Sequence, residues 1–340
     1  MTRFLLLMIT AALVAAGCGR PAGTDGHEAR LADSVSVLLP HSPGLLYDQG
    51  RTSACWIYAM CACIEHEAAR RGDSVTLSRQ WLMGHLMEEQ AMERYDILRS
   101  GGKITDGGRG TISMTGVGPD ALRLIAQYGL VPYMHERRAI TNSSVLERKL
   151  SLMAASAVAM RQSPEDMRRR MKELLPTFTV TRHKRLTHDF LKPETESFYY
   201  LSMRYTPQQF AESVMYYQTW RWYASEDTHP WGAVVALEVS DNRRYHEYRN
   251  LPMRQLLAMV RESLGQGHAV YWEYGCEPSH QKRGGGAASD HAVAIIGMVD
   301  GKFLCLNSYG PDWGMKGCRL VSEEFFMKHT SNVGIIEITE

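Results

Sequence analysis

Two stretches at opposite ends of the chain carry the parts of one thiol site, and any fold of this sequence has to bring them together. The first is Gln49-Gly50-Arg51-Thr52-Ser53-Ala54-Cys55-Trp56. The second is Asp290-His291-Ala292-Val293, followed by Asn307-Ser308-Tyr309-Gly310, then Trp313-Gly314 and Gly317. A thiol attacks a carbonyl well only as thiolate. Cys55 stands where a loop becomes a helix, so the helix N-terminus can stabilise negative charge on its sulfur. A protonated His291 is the second candidate stabiliser, and it would later protonate a leaving amine. The imidazole needs an orienting partner, which the Asn307 side-chain carbonyl can be. A tetrahedral intermediate needs donors aimed at its oxyanion, and the Gln49 amide and the Cys55 backbone N–H are the natural pair. Taken singly, a Cys before Trp is more often core, a lone His more often a surface residue, and Asn-Ser-Tyr-Gly an ordinary turn. Their joint order and spacing are what point to catalysis.

The surrounding chain is ordinary enough to hold such a site. Its 340 residues suffice for two small domains or one two-lobed domain with a substantial core. With 44% hydrophobic and 22% charged residues and a net charge of +1, nothing global points to nucleic acid or a strongly acidic ligand. Residues 1–18 read as a bacterial signal peptide: Arg3, the apolar run Phe4 to Ala16, then small residues up to Cys18. Gly17-Cys18 resembles a lipobox, although Ala15 stands where Leu is usual. Cys18 is therefore the expected lipidation site, residues 19–34 a polar tether, and residues 35–340 the folded domain. The expected location is the bacterial cell envelope, with membrane attachment through the lipidated Cys. Six cysteines remain, of which Cys61 and Cys63 lie on the helix that Cys55 starts and read as buried small apolar residues. No matching His/Cys pair stands near them in sequence, so neither metal nor cofactor is expected.

Local patterns divide the chain. Helices are predicted over Trp56 to Ala69, from Leu77 to about Arg94, and over Ala121–Tyr128, ended by Gly129. Gly101 to Gly118 reads as a loop. Residues 140–250 are the least legible, an insertion with a helix start at Ser163-Pro164, a helical reading for Pro207 to Trp222 and a strand over Gly232 to Val239. Met253 to Leu264 reads as a helix. Short strands follow at His268–Tyr274, His291–Met298, Lys302–Asn307, Gly317–Val321 and Val333–Ile338. A helical part followed by a β part predicts an α+β fold.

The order Gln49, Cys55, His291, Asn307 resembles the papain superfamily of cysteine peptidases. Within it, the chain is most similar to the bleomycin hydrolase and aminopeptidase C branch. Ser53-Ala54-Cys55-Trp56-Ile57-Tyr58-Ala59, Leu77-Ser78-Arg79-Gln80-Trp81-Leu82, Gln127-Tyr128-Gly129-Leu130-Val131-Pro132, Thr206-Pro207-Gln208-Gln209-Phe210 and Val321 to Phe326 all resemble that branch. The resemblance implies a papain-like two-lobed fold: a helical N-terminal lobe with the nucleophile helix and an antiparallel, β-barrel-like C-terminal lobe. It implies hydrolysis of peptide bonds in a peptide or protein substrate through a Cys55 acyl-enzyme. It places Asp106-Gly107-Gly108 on the wall of the substrate cleft, so Gly107 and Gly108 join Trp313 as expected substrate-binding residues. The spacing to helix three makes Gly116 to Gly118 a rival for that wall.

Other departures carry expectations of their own. Tyr309 replaces the usual Trp after Asn-Ser and is expected still to shield the His–Asn bond. The branch's C-terminal arm, whose carboxylate anchors a substrate's free amine, has no counterpart before Glu340, so an endopeptidase is expected. The alternatives are an aminopeptidase of bleomycin hydrolase type, an acyl transferase, and a catalytically silent binding module. The branch's nucleic-acid binding and hexamer are not expected to carry over.

Overall fold

The computed structural model describes residues 48–105, 107–133, 139–176, 181–182, 196–217, 220–226, 248–275 and 290–336. The leader with Cys18, the tether and the strand expected over Gly232 to Val239 lie outside these residues.

The element that positions everything else is α1 (Cys55–Arg70). Its sequence is apolar around most of the cylinder, and Trp56 to Ile64 are all buried. A helix hydrophobic on every side belongs in the middle of a protein. Here α1 lies between the helical lobe and a large sheet. The helical lobe adds α2 (Arg79–Arg99), α3 (Gly118–Tyr128), α4 (Ser143–Ala159) and α5 (Pro164–Met171). Side-chain caps fix several starts: Ser78 accepts from Trp81 N–H, Asn142 from Val145 N–H and Ser163 from Asp166 N–H. Leu146, Leu150, Ala154 and Ala157 of α4 and Met167 and Met171 of α5 join the same core as α1.

A three-stranded sheet, β1 (Thr181–Arg182), β2 (Glu196–Tyr200) and β3 (Met203–Tyr205), precedes the short helix α6 (Pro207–Phe210) and a π-helical turn, Ala211–Met215. The large sheet contains β4 (Trp220–Ser225), β5 (Tyr248–Leu251), β6 (Val270–Gly275), β7 (Asp290–Val299), β8 (Lys302–Leu306), β9 (Cys318–Ser322) and β10 (Thr330–Ile336). Its order is β5-β4-β10-β6-β7-β8-β9. Helices α7 (Met253–Gly265) and α8 (Glu323–His329) cover the face away from α1.

The two faces follow the period of two that strands impose. Along β6 and β7, Val270, Trp272, Val293 and Ile295 pack under α7, whereas Tyr271, Ala292 and Ala294 pack with α1. The alanines leave room for the helix to approach β7 closely.

Two expectations need correction. The β lobe is not barrel-like: among the described residues the sheet is open, with β5 and β9 at its edges, and β4 pairs with β5 in parallel. Nor is Pro207 to Trp222 one helix. The α-helix gives way to the π-helical turn, which ends at Met215, and Trp220 and Trp222 are buried on alternate positions of β4, against β10.

Candidate active site

Cys55 is the first residue of α1, and its N–H belongs to the helix start, where backbone donors have no helical acceptor. The residue is half-buried. The Ala292 N–H of β7, the Trp56 N–H and the cysteine's own N–H all reach its sulfur. These donors favour a thiolate, but burial outweighs them. Burial, with the Glu273 carboxylate adding to it, pushes the Cys55 thiol up to about 11.

His291, next to Ala292, is 6% exposed. Its Nε2 lies 2.9 Å from Asn307 Oδ1. The Ser308 N–H also donates to that oxygen, at 2.7 Å, which fixes the amide with its carbonyl toward the ring. An amide oxygen only accepts, so Nε2 carries the proton and Nδ1 is left to exchange a proton with a reacting group. Burial pushes the imidazole below its ordinary range, and the Asn307 bond opposes this. Resting His291 is thus biased toward neutrality, as is the thiol. The thiolate–imidazolium pair expected from helix-terminal charge is opposed on both sides by desolvation.

Aromatic rings close over the His–Asn bond. Tyr309 stacks on His291 at 5.0 Å between centroids and 12° between planes. Trp313 packs edge-on against Tyr309 at 5.5 Å, and Tyr274 edge-on against His291 at 5.7 Å. Tyr309 therefore takes the shielding position, and Trp313 supports it. The loop carrying both depends on Gly314, at φ +57°, where a β-carbon would lie 2.4 Å from the Cys318 carbonyl.

Gln49 is locked in place. Its N–H donates to the Ser308 carbonyl at 2.9 Å, and its Oε1 accepts from Ser308 Oγ. Nε2 donates to the Thr52 carbonyl at 2.6 Å. One Nε2 hydrogen is thus used, and the second remains for another acceptor. The Gln49 loop is further tied by Arg51 N–H to the Thr141 carbonyl, at 2.9 Å, and by the Tyr58 hydroxyl to the Asp48 carbonyl, at 3.2 Å.

No family model matches the sequence, and no curated protein matches it either. Among solved structures, PepW from Lactobacillus rhamnosis HN001 aligns with a TM-score of 0.59 at 17% identity, over 90% of this chain and 84% of that one. The fold is papain-like. Xylellain, a cysteine protease from Xylella fastidiosa, aligns at a TM-score of 0.38 and 13% identity over 89% of this chain and 85% of that one, too loosely to argue from.

The papain-like fold gathers Gln49, Cys55, His291, Asn307 and Trp313 in one place. It does not bring Gly107 and Gly108 there. Their loop is tied to the C-terminal half of α2, through the Arg109–Glu93 ion pair and Arg94 donating to the Gly110 carbonyl. Gly116 lies beside the site instead: a β-carbon on it would sit 2.7 Å from the Trp56 ring. Trp56 Nε1 donates to the Met114 carbonyl of the same segment, at 2.9 Å. In the rival segment, Gly116 to Gly118, Gly116 thus packs on Trp56, the residue after Cys55. Sequence reasoning missed Ser308, although it stands inside the quoted Asn-Ser-Tyr-Gly. It also missed Glu273, a lone acidic residue in an apolar strand.

Proposed function

We propose that this chain is a cysteine peptidase that hydrolyses peptide bonds through an acyl-enzyme on Cys55. One observation carries the reading. His291 is fixed by Asn307 at 2.9 Å in the tautomer that leaves Nδ1 free, while the next residue's N–H touches the Cys55 sulfur.

The steps follow from these atoms. His291 Nδ1 takes the thiol proton as Cys55 Sγ attacks the carbonyl carbon. The Cys55 N–H and the spare Gln49 Nε2 hydrogen hold the oxyanion. As the C–N bond breaks, the imidazolium gives its proton to the leaving amine. Water, deprotonated by His291, then attacks the thioester and releases the carboxylic acid. Burial disfavours both separate charges before attack, and the rings of Tyr309 and Tyr274 pack against the imidazole.

The finer reading is an endopeptidase of the bacterial envelope. An aminopeptidase needs a carboxylate to anchor the substrate's free amine. The carboxylate that acts on Cys55 among the described residues is Glu273, which is buried and already accepts three hydrogen bonds. The sequence resemblance to the bleomycin hydrolase branch keeps the aminopeptidase as the second reading. Export and attachment at Cys18 rest on the leader motif.

The test is incubation of the purified protein, without residues 1–18, with an epoxide-type papain inhibitor, mapping the adduct by mass spectrometry. Amine-blocked and free-amine peptides are assayed alongside. A Cys55 adduct with cleavage of blocked peptides is expected. Cleavage of free-amine peptides alone selects the aminopeptidase. A folded sample with neither adduct nor cleavage refutes catalysis.

A further inference from the structure

Glu273 is a charged residue in the interior with no part in the steps above. It is 4% exposed. It sits on β6 opposite Ala292 of β7, the residue whose N–H reaches the nucleophile. Its Oε1 accepts from the Gly118 N–H at 3.0 Å and from the Tyr271 hydroxyl, and its Oε2 accepts from Asn332 Nδ2 at 2.7 Å. One carboxylate thus joins the start of α3, two strands and the back of the site. Donors placed on both oxygens of a buried carboxylate favour its charged form.

The anchor at Gly118 has a second consequence. Gly118 closes the Gly116–Gly118 segment that lies against Trp56, and there is no space for a side chain: a β-carbon on Gly118 would sit 2.2 Å from the Trp222 ring. The segment is clamped between that ring and the Glu273 carboxylate.

Resting on the peptidase reading, we propose that Glu273 is a positioning residue of the site, a fixed negative charge behind Cys55 that anchors the Gly116–Gly118 wall and governs how readily the thiol gives up its proton. The groups around the nucleophile define the balance. His291 comes from β7, Glu273 and Tyr271 from β6, Tyr248 from β5, and Asp120 from α3 acts on Tyr248. Burial and Glu273 push the Tyr271 and Tyr248 phenols well above their ordinary range, so both stay neutral. The lasting negative charge that acts directly on Cys55 is Glu273. It disfavours a thiolate in the empty site.

The test is the pH dependence of Cys55 alkylation by iodoacetamide, in which the S–C bond forms and iodide leaves. Wild type is compared with Glu273→Gln. The glutamine oxygen can still accept from Gly118 and Tyr271, and Asn332 can turn its amide to accept from the new NH₂, since Asn332 Oδ1 has no partner now. The expected result is an alkylation profile moved to lower pH by about one unit, with about tenfold faster labelling on its rising limb. An unmoved profile overturns the proposal.

If the single variant does not fold, Glu273→Gln is combined with Asn332→Asp. The pair keeps the same hydrogen-bonding atoms but moves the charge to β10, which lies on the side of β6 away from β7. A smaller acid shift is then expected, and none overturns the proposal. Wild-type protein that is folded but unlabelled at Cys55 would count against the peptidase reading itself, so the two failures are distinguishable.

Discussion

The two ends of α1 are fixed by opposite means. At its C-terminal end, charge does the holding. Glu65 accepts from the Leu77 N–H at 2.6 Å and from both Arg79 guanidinium nitrogens, one of them at 2.7 Å. Glu67 accepts from the Ala269 N–H at 2.8 Å and Arg70 at 2.8 Å, and lies 3.0 Å from His268. These carboxylates fasten the helix to α2's first turn on one side and to the entry of β6 on the other. At the N-terminal end, around Cys55, the direct contacts are backbone amides, amide side chains and aromatic rings, with the Glu273 carboxylate behind them, and burial drives both reactive groups toward neutrality. Orientation is enforced a few turns away from the chemistry, so the reactive end can stay dry.

Arg79→Met should strike the charged end hardest. It leaves Glu65 buried without its cation, both side chains being 2% exposed, and should cost about 3–5 kcal/mol in urea unfolding. If the comparison is right, folded protein at low denaturant keeps Cys55 labelling near the wild-type rate. Loss of labelling without loss of stability would break it.

Asn307→Ala tests the dry end. Removing the acceptor for His291 Nε2 frees the ring to rotate, and kcat/KM should fall on the order of a hundredfold with little change in the urea midpoint. An equal fall in both quantities would mean that Asn307 is chiefly structural.

The smallest effect is in pH. A histidine whose folded pKa lies below its unfolded one binds fewer protons in the native state. Stability is therefore full above the unfolded value, about 6.5, and drains away as pH falls toward the folded value. His291 should contribute such a slope, as should His85, pushed down to about 4 by burial. Urea midpoints at pH 7 and pH 5 should differ less in His291→Gln than in wild type, with the His85 share left in both.

Much of this was legible in the sequence. The quartet Gln49, Cys55, His291 and Asn307 could be read because thiol chemistry admits few residue types for each task. Helices α1, α2, α3 and α7 and strands β6 to β10 followed from hydrophobic period and turn residues. The errors came where a local signal was ambiguous. Trp-Arg-Trp-Tyr alternates like a strand, yet the helix start at Thr206-Pro207 invited continuation. Two glycine strings, 107–108 and 116–118, offered themselves as one cleft wall, and it is Gly116 that packs against Trp56. Helix α4 went unread, although Leu146, Leu150, Ala154 and Ala157 lie on one face behind the Asn142 cap. Openness of the sheet depends on which strands end as edges, and no strand's own sequence states that.

The five described cysteines are all free thiols, but four of them are buried. Burial drives Cys61 and Cys318 up to about 12, and Cys63 and Cys305 well above the ordinary thiol range. Toward an oxidant or an electrophile these four are inert, and this part of the molecule behaves as a one-thiol protein. Among the described thiols, oxidation by peroxide should therefore start at Cys55 and climb the oxidation ladder there.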